Sequence, residues 1–376
     1  MPSKRSGKKV KTVLMTADTL GGVWGYALEL ARALDQYGIH VVLATMGNPL
    51  NENRRREIDA LNNVTIQESN FRLEWMKNPW VDVDMAGKWL QELTCIYKPD
   101  IIHLNDFSHG TCMWRRPSLV VAHSCVYSWF SHVKKETPPS TEWKEYKKRV
   151  TAGMRGADLI ITPSHAMAAD IRKHYAVNKP VRVLYNGRRP VDFIPRQKEP
   201  FVFAAGRIWD EGKNLCGLAD CAPHLLWPVY IAGESKHPDG KNTALEHVHM
   251  LGSLTGDTMC EWFARASIYA HPARYEPFGL SVLEAALSGC ALVLGDIPSL
   301  REIWGDTAQY VSPDDSNALC RSIQNLIENP ALRTTLSTKS RTRALRLNTH
   351  RMAEEYLRLY ENLFISTFNK HAVMVG

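Results

Sequence analysis

Short apolar runs, each followed by a longer helical pattern, recur in two series along this chain, and that alternation restricts its fold more than any other feature. Strand-like runs fall at residues 12–17, 40–45, 64–67, 101–104, 118–122, 159–162 and 181–185, then again at 201–205, 229–232, 249–251, 268–271, 291–294 and 309–311. Strands separated by helices build βαβ units, so each series predicts one doubly wound parallel α/β sheet. The helix expected at 23–34 shows the pattern: Leu28, Ala31 and Leu34 share one stripe, Glu29 and Arg32 turn elsewhere, and Gly38 stops the chain behind it. Between the series, Arg188 to Pro200 carries Pro190, Pro195 and Pro200, and proline donates to neither ladder nor helix. The spacing therefore predicts a linker there, a first domain over 10–190 and a second over 199–346. A terminal helix is expected at 349–364, within a last segment 347–366, with a disordered tail beyond. The length of 376 residues suits two domains at roughly 100–200 residues each.

Composition removes several classes. Hydrophobic residues at 44% and charged residues at 23% are ordinary for a globular chain and exclude disordered, collagen-like and coiled-coil designs. No apolar stretch approaches the roughly 20 residues of a membrane helix. The basic start (Lys4, Arg5, Lys8, Lys9, Lys11) leads into a strand instead of a signal-type apolar region, which predicts a cytoplasmic protein. Eight cysteines without a C-x-x-C pair predict neither a disulfide framework nor a zinc site. The net charge of +7 favours anionic partners in general.

Chemistry concentrates at strand ends. The segment His271-Pro-Ala-Arg-Tyr-Glu276-Pro-Phe278-Gly279-Leu280-Ser281-Val-Leu-Glu284 runs from a strand through a Pro/Gly turn into a helix, with two carboxylates eight residues apart. Glu276 belongs to a loop at a strand's carboxyl end, where open α/β sheets bind ligands, and Glu284 to the first turns of the helix. Between them, the amides of Gly279, Leu280 and Ser281 open a helix N-terminus suited to phosphate. Two carboxylates around a phosphate cradle imply a sugar nucleotide; the structural alternative is a capping box, Ser281-x-x-Glu284. In Gly206-Arg207-Ile-Trp-Asp-Glu-Gly212-Lys213-Asn214, after the second domain's first strand, Arg207 and Lys213 are placed to neutralise a diphosphate leaving group in place of Mg²⁺. Simple solvation of both side chains is the plainer reading.

After the first strand comes Asp18-Thr-Leu-Gly21-Gly22-Val-Trp24-Gly25. Its G-G-x-x-G spacing differs from the dinucleotide fingerprint, and the second strand ends Ala44-Thr45-Met46 without an acid for a ribose, so a nicotinamide or flavin enzyme is disfavoured. The glycines permit a phosphate or sugar to approach the following helix, or simply form a tight turn. His123, Asn105 and Asp106 lie just past strands and are expected in the same cleft. His123 is assigned to the transferred sugar or to a cationic transition state; Trp24, Asn105 and Asp106 are the acceptor-side candidates, with His103 and His109 behind them. Asp82-x-Asp84 looks like a metal-binding pair, but helix capping explains it better and no metal site is assigned.

These residues together resemble the retaining glycosyltransferases of family four, over residues 10 to 365. The most specific element, Glu276-Pro-Phe-Gly-Leu-Ser-Val-Leu-Glu284, is similar to the family's Glu-x7-Glu motif; Gly21-Gly22, Asp158 to Ser164, Asn186-Gly187 and Gly206-Arg207 support it. The resemblance implies the GT-B fold, two Rossmann-like doubly wound domains facing a central cleft, with the terminal helix crossing back onto the first. It implies Glu276 on the donor sugar hydroxyls, Glu284 on the ribose, Arg207 and Lys213 on the diphosphate, Gly22 on the phosphate from the opposite domain and His123 beside the sugar. It also implies the nucleobase near Gly252-Ser253-Leu254. Two departures stand out: six steps separate Arg207 from Lys213 where five are commoner, and Arg188-Arg189 follow Asn186-Gly187 where Val-Asp is usual.

The function expected is metal-independent, retaining transfer of a hexose from a nucleoside diphosphate sugar, UDP ahead of GDP, to an acceptor hydroxyl of unknown identity. No cofactor beyond that cosubstrate is expected. An epimerase or phosphorylase on the same fold is one alternative. A nucleic-acid binder is another, suggested by Arg54 to Arg56, Arg115-Arg116, Lys134-Lys135 and Lys144 to Arg149, although a solvated basic surface is the default. The stretch Tyr127 to Arg149 mixes Trp129, Phe130, Trp143 and Tyr146 with lysines, which suits either an anionic membrane surface or an acceptor-side wall.

Overall fold

The computed structural model describes residues 9–237 and 240–374, the side chains of 367–374 excepted, so Lys4, Arg5 and Lys8 lie outside the described residues. Strands β1 (Thr12–Asp18), β2 (His40–Met46), β3 (Val64–Glu68), β4 (Ile101–Leu104), β5 (Ser118–Val121), β6 (Leu159–Thr162) and β7 (Val181–Val183) form one parallel sheet in the order β3-β2-β1-β4-β5-β6-β7. Strands β8 (Glu199–Ala205), β9 (Val229–Ala232), β10 (His249–Gly252), β11 (Ala266–His271), β12 (Ala291–Gly295) and β13 (Gln309–Val311) form a second, in the order β10-β9-β8-β11-β12-β13.

Both sheets are covered on both faces, which is why their strands are continuous apolar runs and not alternating ones. In β1, Val13, Met15 and Ala17 pack with the helix Gly22–Asp35 and the terminal helix Thr349–Met374, whereas Leu14 packs with the helices Trp80–Tyr97 and Ser140–Gly156. In β8, Phe201, Phe203 and Ala205 face one cluster and Val202 and Ala204 the other. Strand order reverses between β1 and β4 and again between β8 and β11. Ligands of open α/β sheets bind outside the carboxyl ends at such switch points, so the fold singles out four loops.

Four expectations need correcting. Pro200 lies inside β8, not in the linker. It is tolerated there because it stands second in the strand, beside a register shift between Ala266 and Ile268 of the partner β11. Glu29 does not face solvent: it is buried and paired with Arg32. The Asp82/Asp84 pair caps nothing in its own helix, whose N-cap is Pro79; Asp82 accepts from the Arg72 amide and Asp84 from Arg149. The terminal helix continues to Met374 where a disordered tail was expected. It returns to the first domain, with the Tyr26 hydroxyl donating to that of Tyr356 at 2.5 Å and His103 2.6 Å from the Tyr360 hydroxyl. Among the described residues no helix is long and apolar enough to cross a membrane.

The loop after β4 is seated by close backbone packing. A Cβ at Gly153 would overlap the carbonyl of Phe107, and one at Gly110 the carbonyl of Gly153, so the helix Ser140–Gly156 rests directly on the turn Ser108–Thr111. Glycine is required there for lack of space. Gly153→Ala is expected to lower unfolding free energy in urea by about 1–3 kcal/mol through overpacking.

Candidate active site

The two switch points face each other across a cleft of 2110 Å³. From the first domain, its walls include Gly21 and Gly22 after β1, Asn105 and Asp106 after β4, and His123 after β5. From the second come Gly206, Arg207 and Lys213 after β8, then Glu276, Phe278, Gly279, Leu280, Ser281 and Glu284 after β11. The guanidinium of Arg207 reaches across: a Cβ on Gly21, which adopts φ 95°, would lie 2.9 Å from its Nη1. Glycine therefore serves both the left-handed turn and the close approach.

Glu276 is the centre of the second domain's share. Its Oε2 lies 2.6 Å from Lys213 Nζ and 3.1 Å from His271 Nε2, and its Oε1 accepts from the Gly279 amide at 3.0 Å. Burial pushes its carboxyl up, but the Lys213 charge and then the His271 hydrogen bond outweigh it and hold the group well below the usual range. One of the three helix-start amides assigned to phosphate is thus occupied by Glu276. The helix Leu280–Leu287 begins behind Gly279, itself left-handed, and receives no side-chain cap, which removes the Ser281/Glu284 capping box. Glu284 instead accepts from Arg188 Nε at 2.7 Å, while Arg188 Nη1 donates to the Gly25 carbonyl at 3.0 Å. Despite the six-step spacing, Lys213 does reach Glu276, because residues 211–213 coil into a single tight turn capped by Asp210.

In the first domain, Asn105 donates its amide to the Thr16 carbonyl at 2.6 Å, so its oxygen receives His123 Nε2 at 2.8 Å and the imidazole proton is assigned to Nε2. Burial pushes His123 down to about 3, so the ring is a neutral imidazole, packed edge-on to Tyr26. Asp106 lines the cleft but is committed to Thr16 Oγ1 at 2.9 Å and His109 Nδ1 at 2.7 Å. His103 is fully buried behind it.

Some expected residues lie elsewhere. Trp24 does not line the cleft: the helix turns Val23 and Tyr26 toward it and aims Trp24 at Glu57, to which its Nε1 donates at 2.7 Å. Gly252, Ser253 and Leu254 are also outside the lining. Gly252 pairs in β10 and accepts from the Gly233 amide, and Leu254 packs on the core. Other wall residues carried no expected role: Asp18, which opens the glycine motif and is pushed up to about 6 by burial, and the aromatic side chains Trp75 and Trp80. Trp129, Phe130 and Trp143 also line the cleft and Tyr146 is buried, so the aromatic half of the 127–149 stretch faces inward. Many of the basic positions are spent on ion pairs, Arg55 with Glu68, Lys134 with Glu211 and Arg149 with Asp84.

Two facing parallel-sheet domains, with the cations and helix start of the second switch point opposite the glycine turn of the first, define the class: the GT-B fold. A model described as Glycosyltransferase Family 4 matches residues 20–190, and one described as Glycosyl transferases group 1 matches residues 199–329. The chain belongs to the family 4 glycosyltransferases. Over 191 residues it is 26% identical to the O-antigen chain mannosyltransferase RfbU of Salmonella typhimurium, covering 46% of this chain and 51% of that protein. The chain spans about half the length of the curated relatives it matches. The sucrose-phosphate synthase of Thermosynechococcus elongatus superposes with a TM-score of 0.78 at 18% identity, covering 95% of this chain and 100% of the other. HepE of Anabaena, solved in complex with UDP and glucose, gives 0.73 at 14% identity, covering 94% and 100%.

Two measurements check this electrostatic picture. Burial pushes His109 down, yet Asp106 outweighs it and lifts the imidazole to about 9 from an ordinary 6.5. A value raised on folding contributes stability that is complete below pH 6.5 and lost as pH rises through about 9. Unfolding free energy should therefore decline between pH 7 and 9 in the wild type and decline less in His109→Gln. Glu276→Ala strands Lys213 beside an empty site in a cleft where both side chains are about one-seventh exposed. It should cost about 3 kcal/mol of stability in urea, in addition to any loss of activity.

Proposed function

We propose that this chain transfers a hexose from a nucleoside diphosphate sugar, a UDP-sugar ahead of a GDP-sugar, to a hydroxyl of a glycan, lipid or small-molecule acceptor, with retention and without a metal ion. The observation that carries the proposal is the convergence of Arg207, Lys213 and the open start of the helix Leu280–Leu287 opposite Gly21 and Gly22. Cations and peptide dipoles in a cleft of restricted solvation are suited to an anion whose charge grows as its bond to carbon breaks. The bond from the anomeric carbon to the diphosphate oxygen breaks, the acceptor oxygen bonds to that carbon on the same face, and the acceptor proton passes to the departing phosphate. Glu276, kept ionised by Lys213, accepts hydrogen bonds from sugar hydroxyls; His123 offers a neutral ring edge on the opposite side.

The cleft is larger than the roughly 300–1,000 Å³ of an ordinary small-molecule site, which leaves room for an acceptor beside the donor. Trp75, Trp80 and Trp143 wall its first-domain end and suit the apolar faces of sugar rings. The UDP held by HepE and the mannose transferred by RfbU support a nucleotide donor and a hexose.

The deciding experiment is a thermal-shift panel of UDP-, GDP- and ADP-sugars with and without EDTA. A rise in melting temperature with one nucleotide series, unchanged by EDTA, is expected; no shift with any of them, or a shift abolished by EDTA, would reject the corresponding part of the proposal.

A further inference from the structure

The loop that carries Arg207 is held from the opposite domain. Asp210, 6% exposed, divides its two oxygens among three donors. Oδ2 takes Arg207 Nη2 at 2.7 Å, and Oδ1 takes both the Gly212 amide at 2.9 Å and the indole Nε1 of Trp129 at 3.0 Å. Among the described residues, Trp129 is the donor that belongs to the first domain. Burial raises the Asp210 carboxyl, but Arg207 and then Lys213 outweigh it, so it remains an ionised acceptor for all three. On its far side Arg207 lies against Gly21, and its Nε is a buried donor with no partner among the described atoms. The guanidinium also stacks over Trp209 at 5.1 Å, so its pose is set by that ring and by the Asp210 carboxylate, whose plane the Gly212 amide and the indole N–H hold together.

We propose that Trp129 is a positioning residue for Arg207, acting through Asp210, and that it ties the diphosphate loop of one domain to the acceptor-side wall of the other. The inference rests on the donor reading above. Trp129 and Phe130 both line the cleft, and the chain from Phe130 to Lys134 forms a π-helical turn, a distortion that recurs at functional sites. An acceptor seated against this wall bears on the hydrogen bond that orients Arg207. A second contact of the same segment, Lys134 with Glu211 at 2.6 Å, is exposed on the Glu211 side and contributes little by comparison. Simple packing is the competing explanation: the ring also meets Phe130 edge-on at 5.3 Å and lies under Lys134. A phenyl ring would satisfy that packing without the N–H.

The test compares W129F, D210N, the double variant and K134A in the full chain, measuring UDP affinity by calorimetry and UDP release from the UDP-sugar, with kcat and KM separated. W129F should lower kcat about tenfold, the worth of one charged hydrogen bond, while KM and UDP affinity change less than about threefold. The double variant should be no slower than D210N, because both substitutions break one relay. K134A should match the wild type. The inference is overturned if W129F turns over within twofold of wild type, if the losses of W129F and D210N multiply, or if K134A loses as much as W129F. Should W129F melt early, D210N against the double variant still decides, since a further loss on adding W129F to D210N contradicts the relay. A wild type that binds neither UDP nor GDP rejects the donor reading before any substitution is made, and this inference with it.

Discussion

Everything at the centre of this molecule depends on opposite charges held together where water is scarce. Glu276 and Lys213 sit 2.6 Å apart, each mostly buried, and each alone would be a costly group to leave in the cleft. Because they arrive on the two loops that flank the second sheet's switch point, their attraction also fixes those loops relative to each other. The Gly212 carbonyl, which accepts from the amides of Arg274 and Tyr275, strengthens the same junction. Arg207 and the open start of the helix Leu280–Leu287 are thereby presented from one rigid base, and preorganised donors cost no rearrangement when charge develops on a ligand.

The contacts between the domains are of a different kind. Glu302 accepts from the amides of His165 and Ala166, so a side chain of the second domain caps a helix of the first. Ser164 donates to the Pro277 carbonyl, and the Cys125 amide to the Tyr275 hydroxyl. Polar contacts of this sort are exchangeable for water, unlike a continuous apolar seam. Apolar contacts join the domains too: Tyr356 and Tyr360 of the terminal helix are buried against the first domain, Leu280 packs on the same core, and Phe278 meets Tyr185 at 6.5 Å.

What could be read from the chain alone follows from range. Strands buried on both faces advertise themselves as apolar runs, and loops after them carry Gly21, Arg207 and Glu276 within a few residues of a strand end, so local spacing was enough. Trp24 faces away from the cleft because a helix rotates by about 100° per residue, and the packing of Ala27, Leu30 and Leu34 on the core decides which face meets the cleft. The contact of Trp129 with Asp210 spans 81 positions, and that of Arg188 with Glu284 spans 96. Arg188 and Glu284 each stand out in a motif, but nothing in either motif pairs the two, and Trp129 with Asp210 leaves no motif-level trace. Within the loop itself, Arg207-x-x-Asp210 was the one visible hint of half the relay.

Arg188, a departure from the motif the chain resembles, is built into the junction of the two domains. It stands at the crossing between the domains and touches both, through the Gly25 carbonyl and through Oε1 of Glu284. Burial raises the Glu284 carboxyl, and Arg188 is the largest influence in the opposite direction, so the guanidinium favours the charged, acceptor-only form. A pair made through Oε1 leaves Oε2 for a hydroxyl donor such as a ribose, without the ion pair having to break. The cation that replaces the usual small apolar residue then does two things at once: it orients the carboxylate, and it ties that orientation to the position of the helix Gly22–Asp35 in the other domain.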